Sequence, residues 1–420
     1  MLWQPSLPDA YHALTDDELA VRIAARRAHL GERLVILGHH YQTDEIVRHA
    51  DFTGDSLKLS QLAASVVAER AGRGSEVEFI VFCGVHFMAE TADMLTPDSV
   101  RVILPDLSAG CSMADMAAYE DTVQAWDAIH ASLRQTGWSG RVVPITYVNS
   151  SAAIKAFVGA HGGACCTSSN ADKVFAWAMN GGTEPRRPGE DIKVLFLPDQ
   201  HLGRNTSARF GLNTDTQTCV YDPRRTHRGE PLGGASAQEL HDSVTILWAG
   251  HCSVHKLFRP EHCDQIRASE KELPASEKTT ILVHPECCKE VVDRSDLAGS
   301  TEFIISTLRA ARPGSKWAVG TEVHLVARMA KECAARGVHV RILSECQCLC
   351  TTMSRIDQPH LLWVLDGLCG VGTTPDKPVD HAGGPQKVRN VIAVHPEVRQ
   401  PAVLALDRML AHTAVGVAAD

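Results

Sequence analysis

The sequence predicts an α/β fold: three similar three-layer domains, each built on a short parallel sheet. Three observations predict it. Brief apolar runs alternate with helical patterns along most of the 420 residues, as parallel strands do when helices cover both faces of their sheet. A weak internal repeat underlies the alternation: a helix, an apolar strand ending in a polar turn, then a lone cysteine near the next element. The strand ends carry groups that hydrogen-bond or move protons, and ligands of open α/β sheets sit at the carboxyl ends of the strands.

The elements follow in order. Thr15-Asp16-Asp17-Glu18 is a capping box that opens a helix running to about Leu30. Strands are expected over 33–38, 77–82, 100–104, 142–148, 193–197, 244–248, 279–283, 316–320 and 339–343, with helices over 55–71 and 87–95 among those between them. Val102–Asp106 precedes Cys111, Val194–Asp199 leads through a long excursion to Cys252, and Val340–Glu345 precedes Cys350. A second recurring set is Leu37-Gly38-His39, Thr146-Tyr147-Val148-Asn149 and Val283-His284-Pro285-Glu286. Residues 205–242 are rich in Gly, Pro, Thr and Arg and read as an inserted surface excursion. Gly370–Gln386 reads as a loop ahead of a terminal helix from about Pro396 to His412. The expected organisation is a helical arm over 1–30, α/β domains over 31–120, 121–256 and 257–390, and a C-terminal helix over 391–420 packing back on the first domain.

Composition narrows the function. The chain is 44% hydrophobic and 22% charged, a soluble globular balance. A net charge of −9 argues against a nucleic-acid or anionic-membrane surface. No apolar run approaches the roughly 18 residues of a membrane span, and the polar start lacks a signal-peptide pattern, so a cytoplasmic location is expected. Fourteen cysteines in a long chain of this kind suit metal binding or catalysis better than a disulfide scaffold. Cys165, Cys219, Cys263, Cys333 and Cys369 read as packed thiols, as do Cys83, Cys166, Cys287 and Cys288.

Cys346-Gln347-Cys348-Leu349-Cys350 is the most conspicuous run. Its C-x-C-x-C spacing matches neither the usual zinc pairs nor common ferredoxin patterns, so structural zinc, a redox dithiol and a single cluster ligand all stay open. Cys111 lies in a small-residue turn opening a helix, where the dipole favours thiolate. His39-His40-Tyr41-Gln42 is dense in proton-shuttling groups. Gly54-Asp55-Ser56 reads first as a helix cap, and Gly299-Ser300-Thr301 as a similar turn; both are also able to hold a carboxylate or phosphate. Glu286, just past a strand end, is a candidate base.

These residues lie within longer runs that resemble the quinolinate synthase family. The matching runs are Gly38–Gln42, Ala50–Leu57, Gly84–Thr91, Tyr147–Ala153, Thr167–Ser169, Pro198–Gly203, His284–Glu286 and Gly299–Thr301, in family order. The resemblance implies three α/β domains around a pseudo-threefold axis, each giving one cysteine to a 4Fe–4S cluster whose fourth iron is open to substrate. The matching cysteines are Cys111 and Cys252, with Cys350 chosen over Cys348 and Cys346 because Met353 follows it at the family's spacing. Thr351 stands where the family often has proline, and His40 where relatives usually carry Tyr or Asn. The implied reaction condenses iminoaspartate with dihydroxyacetone phosphate to quinolinate, losing phosphate and two waters, in NAD biosynthesis. By motif match Tyr41 and Glu286 are the acid–base pair, with Tyr147 near the cluster. His39, Ser56, Tyr147, Asn149, Ser168, His284, Glu286 and Thr301 hold the substrates. An L-aspartate oxidase is the implied functional partner.

Two other readings compete. One is a different three-cysteine 4Fe–4S hydro-lyase. The other, of a different class, is a non-catalytic metal or redox sensor using Cys346–Cys350, for which Cys111 and Cys252 are dispensable.

Overall fold

The apolar runs become three separate parallel sheets in the computed structural model, which describes residues 4–345, 348–371, 373–374, 377–378 and 385–412. The first sheet contains β1 (Leu34–His39), β2 (Phe52–Gly54), β3 (Phe79–Cys83) and β4 (Arg101–Ile103). The second contains β5 (Arg141–Tyr147), β6 (Ala164–Cys166), β7 (Ile192–Leu197), β8 (Thr218–Tyr221) and β9 (Thr245–Trp248). The third contains β10 (Thr280–Val283), β11 (Leu297–Ala298), β12 (Lys316–Gly320) and β13 (His339–Ile342). Their lateral orders are β2-β1-β3-β4, β6-β5-β7-β9-β8 and β11-β10-β12-β13. One core order therefore recurs three times: a very short strand beside the first strand, with two strands on its other side, to which the second sheet adds β8 at its edge. The pairings among these strands are parallel. A short strand, Val391–Ile392, adds antiparallel to β4.

Burial explains the composition of the strands. Every residue of β1, β3, β7 and β9 is buried, because helices cover both faces of a parallel sheet and leave no polar side. The first strands of the three repeats, β1, β5 and β10, end at His39, Tyr147 and Val283. The recurring strand-end residues thus occupy equivalent places in three sheets. Cys111, Cys252 and Cys350 each follow, in chain order, the last of these strands in a sheet, β4, β9 or β13.

The chain forms two compact units, residues 1–111 with 350–395 and residues 112–349 with 396–420. This differs from the expected third domain over 257–390. After β13 the chain leaves the third sheet, and the helix Gln358–Leu368 packs along the helix Asp16–Leu30. A buried carboxylate fixes that packing: Asp366 accepts from the Tyr11 hydroxyl at 2.9 Å and from Arg26 Nε at 2.7 Å. The arm and the segment after Cys350 therefore complete the unit of the first sheet.

Two further expectations are corrected. Residues 205–242 are not a surface excursion throughout, although much of the segment is exposed. The helix Gln200–Arg209 continues through Asn205, and β8 forms the outer strand of the second sheet. Tyr221 at the end of β8 is buried and stacks on Trp248 with centroids 5.6 Å apart. The terminal helix Pro396–Ala411 packs on the helix Ala152–Ala160 and on β6, in the second sheet's unit rather than on the first domain. Gly159 permits the contact, since a Cβ there would lie 1.8 Å from the Pro401 carbonyl oxygen. Arg408 Nη1 donates to the Gly159 and Gly163 carbonyls at 3.0 and 2.6 Å. Among the described residues no helix is long and apolar enough to cross a membrane.

Candidate functional site

In the unit of the second and third sheets, the site grows from the turn after β10. Pro285 presets its own φ for the second position of a turn, and Cys287 N–H donates to the His284 carbonyl at 3.0 Å. Glu286 is thereby presented at the strand end, buried at 3% exposure. Both carboxylate oxygens are engaged. Oε1 accepts from the Tyr147 hydroxyl at 2.6 Å, a short charge-assisted bond, and Oε2 lies 2.8 Å from His255 Nδ1. His255 Nε2 is 3.2 Å from Thr321 Oγ1, and its ring stacks on His284 with centroids 4.5 Å apart. His284 Nδ1 accepts from the Glu286 N–H at 3.3 Å, so its Nε2 carries hydrogen and donates to Ser168 Oγ at 3.2 Å.

The electrostatics of this chain are set by opposed effects. Burial pushes the Glu286 carboxyl up, but His255 and His284 beside it and the bonds from His255 and Tyr147 outweigh that, holding it down at about 2. Burial pushes His284 down to about 3, against the attraction of the Glu286 charge. His284 is therefore a neutral ring at ordinary pH, and its 3.7 Å approach to Glu286 Oε1 is no ion pair. The arrangement offers one buried, ionised carboxylate that is held on both sides by groups able to pass a proton.

Two acceptors nearby stand without partners. Asn149 Oδ1 and Asp199 Oδ2 are buried and make no hydrogen bond, a costly state for a polar atom unless a ligand or water completes it. Asp199 lies just past β7. Its Oδ1 caps the helix Gln200–Arg209 by accepting from His201 and Leu202 N–H at 2.7 and 3.3 Å. Burial and then the Glu286 charge push Asp199 well above the usual carboxylate range. Thr301, 4% exposed, is the first residue of the helix Thr301–Arg309, whose cap is Ser300. Ligating atoms of Cys252, His255 and Glu286 lie within 4.8 Å of one another.

The unit of the first sheet presents the remaining candidates. His39, 4% exposed, ends β1; its Nδ1 accepts from Tyr41 N–H at 3.1 Å, and the two rings meet edge-on at 4.7 Å. Asp55 caps the helix Ser56–Gly72 through Lys58 N–H at 2.9 Å, so Ser56 is not the capping residue. Buried Gln42 donates from Nε2 to the Met353 carbonyl at 3.1 Å, tying the His39–Gln42 turn to the segment after Cys350. Arg355 Nη1 donates to Ser108 Oγ at 3.1 Å, and Ser108 is held by Asp106, so the approaches to Cys111 and Cys350 are joined. Cys350 Sγ is 3.6 Å from Thr352 Oγ1.

The thiols divide by environment. Cys111, Cys252 and Cys350 are partly exposed, whereas Cys348 is wholly buried with its sulfur 3.3 Å from Ser344 Oγ. Cys83, Cys165, Cys166, Cys219, Cys263, Cys287, Cys333 and Cys369 are buried too, as packed thiols are. Cys346 lies outside the described residues.

Beside Glu286 lie three residues that no motif singled out, His255, Thr321 and Asn205, and Asp199, which lies in a matching run but carried no assigned role. His255 had a usable signal, being a histidine three residues after Cys252 at the same strand end. Thr321 follows β12 directly. Neither belonged to a motif that could be read for acid–base chemistry.

Buried, tuned acid–base groups at the carboxyl ends of parallel strands define an α/β enzyme. Its family is shown by comparison with known proteins: the family described as quinolinate synthetase A protein matches residues 22–411, and the chain belongs to it. Quinolinate synthases of Streptomyces coelicolor, a Nocardioides species and Anoxybacillus flavithermus are among its relatives. The first is 47% identical over 398 residues, covering 94% of this chain and 89% of that protein. The second is 48% identical over 400 residues, covering 94% and 90%, and the third 46% over 406 residues, covering 97% and 96%. Its activity is quinolinate synthesis, within NAD biosynthesis.

Proposed function

We propose that this enzyme condenses iminoaspartate with dihydroxyacetone phosphate, releasing phosphate and two waters, with Glu286 and Tyr41 as its acid–base groups. The observation that carries this reading is the buried Glu286 carboxylate, ionised and bonded to Tyr147 at 2.6 Å and His255 at 2.8 Å. Condensation and dehydration need a proton acceptor on the carbon skeleton and a donor to a departing oxygen. An ionised Glu286 takes the first role, and a tyrosine hydroxyl is suited to the second. Asn149 Oδ1, buried and without a partner, accepts a hydrogen bond from substrate. Neutral His284 and Ser168 hold one carboxylate as a donor pair. His39, Ser56 and Thr301 hold the other anionic groups from strand and helix ends.

The donor set fits a 4Fe–4S cluster on Cys111, Cys252 and Cys350. They are three partly exposed thiols in a chain whose other described cysteines, Cys288 apart, are buried, and each follows the last strand of a repeat. Such a cluster, with one iron open, supplies a Lewis acid for a hydroxyl leaving group without redox change. The threefold recurrence of one strand order supports a pseudo-threefold arrangement of the three sheets. An L-aspartate oxidase is the proposed source of the unstable imine. The test is anaerobic purification followed by an assay for quinolinate from the two substrates. Formation that depends on both is expected; a loaded protein that makes none contradicts the proposal.

A further inference from the structure

We infer that Asn205 is a positioning residue for Glu286, clamping the turn that carries it. The inference rests on the assignment of Glu286 as a catalytic base. Asn205 sits within the segment that its composition marks as a surface excursion, yet it is 3% exposed. Its Nδ2 donates to the Pro285 carbonyl at 2.8 Å and to the Cys287 carbonyl at 2.9 Å. These are the peptide oxygens of the residues on either side of Glu286.

The geometry follows from the helix Gln200–Arg209. Asp199 caps its first turn. Gly203 lets it lie against the second sheet, since a Cβ there would meet Leu247 Cδ2 at 2.7 Å and Phe196 Cδ1 at 2.8 Å. Leu202, Asn205 and Arg209 are spaced at i, i+3 and i+7, so they share one helix face. On that face Arg209 Nη2 also donates, to the Ala298 carbonyl at 3.0 Å. A helix seated on the second sheet therefore reaches the turns of the third sheet through polar side chains.

That reach matters because it ties the turn's backbone on both sides of Glu286 to a helix of another sheet. The Cys287 N–H to His284 carbonyl bond closes the turn, and the Pro285 and Cys287 carbonyls accept from Asn205. A single amide bridging both holds the Pro285–Glu286 peptide and the Cys287–Cys288 peptide, and so the chain on either side of the Glu286–Cys287 pair. It thereby sets the direction of the carboxylate toward Tyr147 and His255. Both of these hydrogen bonds are to backbone oxygens, so the effect of Asn205 is on where Glu286 stands, not on what Glu286 is.

The test is a double-mutant cycle of Asn205→Ala with Glu286→Gln on the iron-loaded enzyme, reading kcat, KM and thermal midpoint. Asn205→Ala is expected to lower kcat about 10- to 100-fold, as misplacement of a catalytic group by an ångström does. KM should stay within about threefold of the parent. In the Glu286→Gln background the same substitution should change residual kcat by less than about twofold, because no base is left to misplace. A full loss persisting in that background overturns the inference, as does an unchanged kcat in the single variant. Should Asn205→Ala fail to fold, Asn205→Ser, which keeps one donor, must show the same split on a smaller scale. If Glu286→Gln alone turns over normally, the assignment of the base fails instead, and the two failures are told apart.

Discussion

Replacing Glu286 by glutamine probes the centre of the site with little change of shape. The carboxyl is held from an ordinary 4.5 down to about 2, which corresponds to about 3 kcal/mol favouring its charged form. The group is fully buried, so solvent does not discount that figure. A neutral amide forfeits it but also sheds the cost of keeping a charge out of water. Tyr147 and His255 can still bond an amide, whose oxygen accepts and whose nitrogen donates. The variant should therefore stay folded, losing no more than about 3 kcal/mol. Catalysis should fall far more, about 10²- to 10⁴-fold in kcat, the usual contribution of a general base. The assay compares parent and variant after anaerobic reconstitution, measuring iron per chain, thermal midpoint and quinolinate formation. Iron and folding like the parent's with product formation collapsed is the expected outcome. Turnover within about twofold of the parent refutes the role given to Glu286.

Other outcomes follow from the same geometry. Tyr147→Phe removes the 2.6 Å bond to Glu286, a hydrogen bond to charge worth about 1.5–3 kcal/mol. The acid limb of the kcat profile should move to higher pH; a limb that does not move contradicts the bond's role. His284 is neutral when folded, with its pKa depressed from 6.5 to about 3, so between those values the unfolded chain binds a proton that the folded chain does not. Stability should fall with falling pH across that window by up to about 1.4 kcal/mol per pH unit. His284→Gln should flatten that slope in thermal midpoints from pH 7 to pH 4, and an unchanged slope shows that other groups set it. Gly159→Ala drives a methyl into the Pro401 carbonyl and should cost about 1–3 kcal/mol or more. Limited proteolysis would then release the helix Pro396–Ala411 sooner than in the parent; equal protection refutes the close packing.

The sequence made legible what depends on local pattern. Fully buried strands such as β1 and β7 read as apolar runs, and the Thr15–Glu18 box placed a helix start where the structure has it. The repeat was visible because β1, β5 and β10 end in the same kind of polar turn. β2, β6, β8 and β11 were not visible: they have two to four residues each, too few for a period to show. β8 was further masked by flanking Gly, Pro and Arg, yet Tyr221 against Trp248 anchors it. Domain edges failed for a tertiary reason. Nothing local in residues 350–395 announces that Asp366 will bond Tyr11 and Arg26 more than 300 residues earlier. Tyr147, Ser168, His284 and Glu286, which stand out through their motifs, are joined by hydrogen bonds in the fold. His255 and Asn205 do not stand out, because their importance lies in what they touch across the fold.

The proposed cluster takes one cysteine after the last strand of each sheet: Cys111, Cys252 and Cys350. That assignment is tested most directly by iron per chain, with the cluster's visible absorbance, in anaerobically reconstituted Cys111→Ser, Cys252→Ser, Cys350→Ser and Cys348→Ser. Loss of the cluster is expected in each of the first three and retention in Cys348→Ser. Full iron in Cys111→Ser or Cys252→Ser, or loss confined to the Cys348 and Cys350 variants, contradicts it.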